Sequence, residues 1–166
     1  ISSKVGDYIK NLNFFSSKFV QSSGSSLEEG YIYIKDTKIR LDYFSPDRTL
    51  IISKKKGVYI NHELKEEEFF STEKNIVRIF YDIFIDDGFF STLKFAENKK
   101  EIIFEKKITI DSNKTDIKIF FENKPLLLRK IIAETEGEVI SISLNEHSYN
   151  NVFDEKLFSF VPMYPD

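Results

Sequence analysis

Between Leu27 and Ile60 the chain alternates short apolar runs with polar breaks. The runs 31–35, 38–44, 48–53 and 57–61 are rich in Ile, Tyr, Leu and Val, residues that suit a pleated sheet. Asp36-Thr37, Ser45-Pro46-Asp47 and Lys54-Lys55-Lys56 separate them as turns. Connections this short can join only antiparallel strands, because a parallel crossover needs a dozen or more residues. The pattern therefore predicts a four-stranded β-meander. Its two faces differ. Ile32 and Ile34 share one face and Tyr31 and Tyr33 the other. Leu50 and Ile52 oppose Ile51, and Ile39, Leu41 and Tyr43 oppose Arg40 and Asp42. One face is apolar throughout and needs a cover; the other is amphipathic and Tyr-rich.

The remaining chain supplies candidates for that cover. Val5, Tyr8, Ile9 and Leu12 recur at helical spacing, predicting a helix to about Asn11 capped by Ser2 or Ser3. A strand over 14–21 follows, with Phe15, Ser17, Phe19 and Gln21 on one side, and then a flexible SSGSS connection. After the meander come the acidic stretch 63–68 and a weak strand ending at Phe69-Phe70. Ser71 or Thr72 is the expected cap of a second helix carrying Ile76, Ile79, Phe80, Ile83 and Phe84, stopped by Asp86-Asp87-Gly88. Strands are predicted over 91–97, 101–110, 115–122, 126–135 and 139–146, alternating most clearly at Ile117, Ile119 and Phe121 and at Ile140, Ile142 and Leu144. A last short strand is placed at 157–161. Ten or eleven strands with two helices cannot make a helix-flanked parallel sheet. The economical reading is a mainly β (α+β) fold, one curved antiparallel sheet with both amphipathic helices over its concave apolar face.

Composition narrows the function. At 166 residues the chain fits one domain over 1–166. Its 24 basic and 27 acidic residues are well mixed, which argues against a nucleic-acid partner. The absence of Cys excludes thiolate metal sites and disulfides, and no metal or cofactor is expected. The start at Ile1 suits a processed mature protein or a trimmed chain. Seventeen Phe without Trp fit either a Phe-rich core or a lipid-sized cavity. Enzyme chemistry has little to stand on. His62 and His147 read as surface histidines in polar loops, there is no Gly-rich phosphate loop, and Glu66-Glu67-Glu68 reads as a solvated face or an acidic rim.

Five motifs stand in order along the chain: Phe15-Ser16-Ser17-Lys18-Phe19-Val20-Gln21, Glu29-Gly30-Tyr31-Ile32-Tyr33-Ile34-Lys35, Ile39-Arg40-Leu41-Asp42-Tyr43, Ser45-Pro46-Asp47 with Leu50-Ile51-Ile52-Ser53, and Leu157-Phe158-Ser159-Phe160-Val161-Pro162. Together they resemble the LolA family of periplasmic lipoprotein carriers. The first is similar to the family's first strand, the second to its second, and the third to its Phe-Arg-Trp-Asp-Tyr. The resemblance implies an incomplete antiparallel β-barrel with a helical lid over a hydrophobic cavity. It implies a periplasmic monomer, its signal peptide removed, that holds lipoprotein acyl chains. It implies the inner-membrane ABC transporter LolCDE as donor and an outer-membrane acceptor, or the outer membrane itself, as recipient. The alternatives on the same half-barrel are the acceptor LolB and a lipoprotein-sensing regulatory domain. The candidate cavity residues are Val5, Ile9, Leu12, Phe15, Phe19, Ile32, Ile34, Ile39, Leu41, Tyr43, Ile52, Ile76, Phe80, Phe84, Ile119 and Phe121. The family's lid-latching Arg falls at Asp36 here, so the latch is either absent or built otherwise, with Arg40 or Arg78 as the candidate substitutes.

Overall fold

The computed structural model describes residues 2–73 and 75–165. Eleven strands form one antiparallel sheet: β1 (Phe15–Ser23), β2 (Ser26–Lys35), β3 (Lys38–Tyr43), β4 (Arg48–Ile52), β5 (Lys56–Asn61), β6 (Glu66–Ser71), β7 (Lys94–Glu97), β8 (Glu101–Ile110), β9 (Asn113–Glu122), β10 (Leu127–Thr135) and β11 (Glu138–Ser148). Helix α1 (Ser2–Lys10) precedes the sheet, and α2 (Ile76–Ile85) lies between β6 and β7.

The sheet order is β6-β5-β4-β3-β2-β1-β11-β10-β9-β8-β7. The chain therefore meanders outward from the centre to one edge and crosses through α2 to the other. It then meanders back until β11 pairs with β1, with Phe19 opposite Leu144. Edges β6 and β7 do not meet, so the sheet is open and not a closed barrel. The alternation read from the sequence places the faces. Ile32, Ile34, Ile39, Leu41 and Ile52 are buried on the concave side. Ile51, Val58 and Ile60 form a separate cluster on the convex side.

Gly30 serves the core directly. A methyl group there would collide with the Asp42 carbonyl and the Phe19 ring, so only Gly lets Phe19 lie across β2. Phe19 in turn meets Tyr43 edge-on, with ring centroids 5.1 Å apart.

Several expectations change. The SSGSS stretch is no loose connection; both strands run into it, and Ser23 pairs with Ser26 around Gly24 at φ 60°. Acidic residues 66–68 belong to β6 itself. Helix α2 is capped by Asn75, whose side chain accepts from the Val77 amide, and not by Ser71 or Thr72. Thr72 is buried and donates to the Lys54 carbonyl at 2.6 Å, so its hydroxyl is already engaged. Helix α1 starts at Ser2, which puts Ser3 in its first turn and the capping position outside the described residues. The expected strand at 157–161 is a 3₁₀ turn over Glu155–Phe158 followed by irregular chain, because its carbonyls are taken by Arg40 and Lys38 side chains and not by a sheet edge.

That C-terminal segment covers the convex face. Arg40 Nη1 donates to the Leu157 carbonyl at 2.9 Å and Lys38 Nζ to the Phe158 carbonyl at 3.1 Å. Phe160 and Tyr164 pack on the Ile51–Val58–Ile60 cluster. Glu67 accepts from the Met163 and Tyr164 amides.

Candidate functional site

A cavity of about 160 Å³ lies between the concave face and α2. Strand β1 gives it Phe19 and Gln21, β2 gives Ile32, β3 gives Ile39, Leu41 and Tyr43, and β4 gives Leu50 and Ile52. Strand β11 gives Ile140 and Ile142, and α2 gives Ile76, Val77, Phe80 and Phe84. The period of two in each strand brings these residues to one face, and the 3.6-residue period of α2 closes over them. The only polar atoms on these side chains belong to Gln21 and Tyr43. They bond each other, Tyr43 Oη donating to Gln21 Oε1 at 3.0 Å. Such a surface offers apolar contact and almost no directional bonding.

The volume matters. A cavity of roughly 150 Å³ lined by apolar side chains stays dry and accepts a ligand the size of benzene. The space beneath α2 is of that order, enough for part of one acyl chain.

The two helices are held differently. Val5, Ile9 and Leu12 of the α1 segment are at most 2 % exposed. Tyr8 of α1 meets Phe121 edge-on at 5.8 Å, and its hydroxyl accepts from the Leu128 amide at 3.1 Å. Lys4 Nζ donates to Asn123 Oδ1 at 2.8 Å. Helix α1 is thus bolted to the β9–β10 half and does not line the cavity. Helix α2 is looser. Tyr81, Ile83 and Phe84 are buried, but Ile76, Val77, Ile79 and Phe80 are only half-buried. Among the described residues, two hydrogen bonds tie it to the turns at one end of the sheet. Tyr81 Oη donates to the Thr37 carbonyl at 3.0 Å, and Arg78 Nη1 to the Lys54 carbonyl at 3.3 Å. Arg78 is also paired with Asp82 at 3.0 Å.

Of the two arginines expected near the latch, only Arg78 bridges helix and sheet. Arg40 points to the convex face, where it pairs with Asp42 and donates to Leu157. Asp36 sits in the β2–β3 turn at φ 54°, a conformation that Asp tolerates well. Its amide donates to Asn13 Oδ1 at 2.7 Å, tying the turn to the end of the α1 segment.

Nine of the sixteen expected residues line the cavity: Phe19, Ile32, Ile39, Leu41, Tyr43, Ile52, Ile76, Phe80 and Phe84. The other seven, Val5, Ile9, Leu12, Phe15, Ile34, Ile119 and Phe121, pack in the main core. Val5, Ile9 and Leu12 come from the α1 segment, and Phe15, Ile34, Ile119 and Phe121 from β1, β2 and β9. Gln21, Leu50, Val77, Ile140 and Ile142 line the cavity without having been expected there. The alternation put Leu50 on the right face, but β11 joins the site only through its pairing with β1.

Electrostatics at the site follow from burial. Burial, with the neighbouring Tyr59 hydroxyl, pushes the Tyr43 phenol up to about 12. The Tyr8 and Tyr81 phenols are raised, chiefly by burial. Neither histidine is a free surface group. His62 lies between Thr49 Oγ1 at 2.8 Å and Tyr164 Oη at 2.9 Å. His147 belongs to β11 and contacts the Leu128 carbonyl at 2.7 Å, and burial lowers its pKa. Both rings are engaged by neighbours within the fold, His62 on both nitrogens.

The model of a family described as "Outer membrane lipoprotein carrier protein LolA" matches residues 10–161. No curated protein matches. Among solved structures, an uncharacterized conserved protein from Thermus thermophilus superposes with a TM-score of 0.61 at 11% identity, covering 98% of this chain and 96% of the other. The Mycobacterium tuberculosis lipoprotein LppX does so with a TM-score of 0.54 at 6% identity, covering 92% and 95%. The Pseudomonas aeruginosa MucA/MucB complex gives 0.52 at 9%, covering 95% of this chain and 60% of that one. At these identities the likeness concerns the fold.

Proposed function

We propose that this chain, which belongs to the LolA family of outer membrane lipoprotein carrier proteins, buries lipoprotein acyl chains beneath α2 and ferries them across the periplasm. The observation that carries the reading is the apolar, unfilled space under a loosely held helix. In this reading the protein acts as a monomer with one domain. It receives cargo from the inner-membrane transporter LolCDE and yields it to an outer-membrane acceptor or to the outer membrane.

Water rejects acyl chains at about 0.8 kcal/mol per CH₂, so a soluble shuttle must bury them. It must also release them without consuming a nucleotide. An apolar cavity holds a chain through graded, non-directional contact, and a more apolar acceptor can draw the chain out one methylene at a time. A volume near 160 Å³ is too small for a whole lipoprotein anchor, so loading requires it to widen. Helix α2 is the element that moves. Its inner residues line the cavity, its first half is half-buried, and its ties to the sheet turns are the Tyr81 and Arg78 hydrogen bonds. Helix α1, whose inner residues Val5 and Ile9 are at most 2 % exposed, stays with the sheet.

The test is to delipidate the protein and titrate it with a fluorescent fatty acid. Saturable binding that a cavity-filling Leu50→Phe substitution weakens supports the carrier. Absence of saturable binding sinks it. A second measurement is release of a lipoprotein from inner-membrane vesicles containing the transporter, which the protein should promote in proportion to its concentration.

A further inference from the structure

The cavity is not uniform along its length. At its closed end Ile39, Ile52 and Phe84 are 1–3 % exposed. At its other end Gln21, Tyr43, Leu50 and Ile140 are half-buried, and the polar groups gather there. Gln21 on β1 accepts from Tyr43 on β3 through Oε1, the one hydrogen bond its amide makes among the described residues. The Arg48 guanidinium on β4 lies over the Tyr43 ring, 4.4 Å from its centroid. Glu28 on β2 pairs with Arg48, and Tyr59 on β5 meets Arg48 Nη1 through its hydroxyl at 3.3 Å. Gln21 and Tyr43 thus stand on the cavity wall, with Arg48, Glu28 and Tyr59 of the neighbouring strands linked behind them, while the rest of the lining is hydrocarbon.

We propose that this mouth is a headgroup subsite, in which the Gln21 amide N–H groups hold the ester or amide carbonyls joining an acyl chain to its polar head. This rests on the carrier reading and adds an orientation to it: head at Gln21, tail toward Phe84. Burial supports the assignment. The Tyr43 phenol stays protonated at neutral pH and occupies Gln21 Oε1, which leaves the amide nitrogen, a donor, for the ligand. Carbonyl oxygens are acceptors and match it. A Leu at position 21 would make the mouth continuous with the oily interior and indifferent to the head.

The experiment compares two fluorescent probes with the same pyrene-labelled tail, one ending in a methyl ester and one a plain hydrocarbon. Each is titrated into the whole protein and into Gln21→Leu. The substitution should weaken the ester probe about tenfold while the hydrocarbon binds as well or better. Equal changes for both probes, or none, would overturn the subsite. Should Gln21→Leu not fold, Gln21→Glu keeps the size and the acceptor for Tyr43 but removes the donors, and the same loss of ester preference is expected. If the unaltered protein binds neither probe, the carrier reading itself fails, a result distinct from loss of head preference. A triacylated lipopeptide and a diacyl phospholipid run in parallel separate the sources of the head. Loss on both, or on one alone, assigns the subsite to the shared carbonyls or to that ligand; loss on neither overturns it.

Discussion

The hydroxyl of Tyr81 donates to the main-chain oxygen of Thr37 across 3.0 Å, pinning the middle of α2 to the tip of the β2–β3 hairpin. Arg78, one turn earlier, does the same to Lys54 at the neighbouring hairpin. A side-chain hydrogen bond of this kind contributes about 1 kcal/mol net. Both are local to α2, so Tyr81→Phe with Arg78→Ala should raise amide exchange across 76–85 several-fold and leave the strands protected. Fatty-acid association should quicken in the same variant. Unchanged exchange in α2 would show that packing alone holds the helix.

Cavity and core residues should separate by their phenotypes. Phe121 is fully buried away from the cavity, so Phe121→Leu should lower stability by roughly 1–2 kcal/mol and leave ligand affinity unaltered once the protein is folded. Leu50 is half-buried on the cavity wall, so Leu50→Phe should cost little stability and reduce acyl affinity by filling the space. Denaturant melts beside fatty-acid titrations of both variants check the pair. The same phenotype from both would mean that wall and core are not distinct.

Glu67 holds the C-terminal segment through two main-chain amides, those of Met163 and Tyr164. Glu67→Ala leaves both without that acceptor and should cost about 1–3 kcal/mol. The expected signature is faster proteolysis near Tyr164 and increased dye binding to the uncovered Ile51–Val58–Ile60 cluster. Acyl binding on the opposite face should be retained.

Stability should fall at both pH extremes for identifiable reasons. His147 has a folded pKa below its ordinary value because burial disfavours the imidazolium. The unfolded chain then binds the proton more readily, so stability is full above about pH 6.5 and declines as pH drops through the folded pKa. Tyr43 works in the other direction. Its folded pKa is raised to about 12, so the contribution is full below about pH 10 and is lost between there and 12. Thermal melts across pH should show the acid limb flatten in His147→Gln and the alkaline limb flatten in Tyr43→Phe.

Much of the fold was legible in local pattern. The period of two in Ile32-Ile34, Ile39-Leu41 and Leu50-Ile52 assigned a face to each strand before any contact was known. Register cannot slip by one residue without turning a buried face to water, so short turns and alternation together define the meander. Helix ends were less legible. Ser71 and Thr72 read as the cap, but Thr72 is held against Lys54 and Asn75 caps the helix. The C-terminal motif 157–162 looked like a strand because Phe, Val and Leu favour sheets. It joins neither sheet edge, and it packs its aromatic rings on the convex face instead.

The chain alone determined which side chains are apolar, which face of each element they share, and that two helices must cover a long sheet, since these follow from periodicity and turn length. Only the tertiary structure decided that β11 closes on β1, because pairing residues more than a hundred positions apart depends on the whole sheet's twist and leaves no local trace. That single pairing brings Ile140 and Ile142 to the wall. It also separates the tightly packed half under α1 from the half under α2, where the interior is left unfilled.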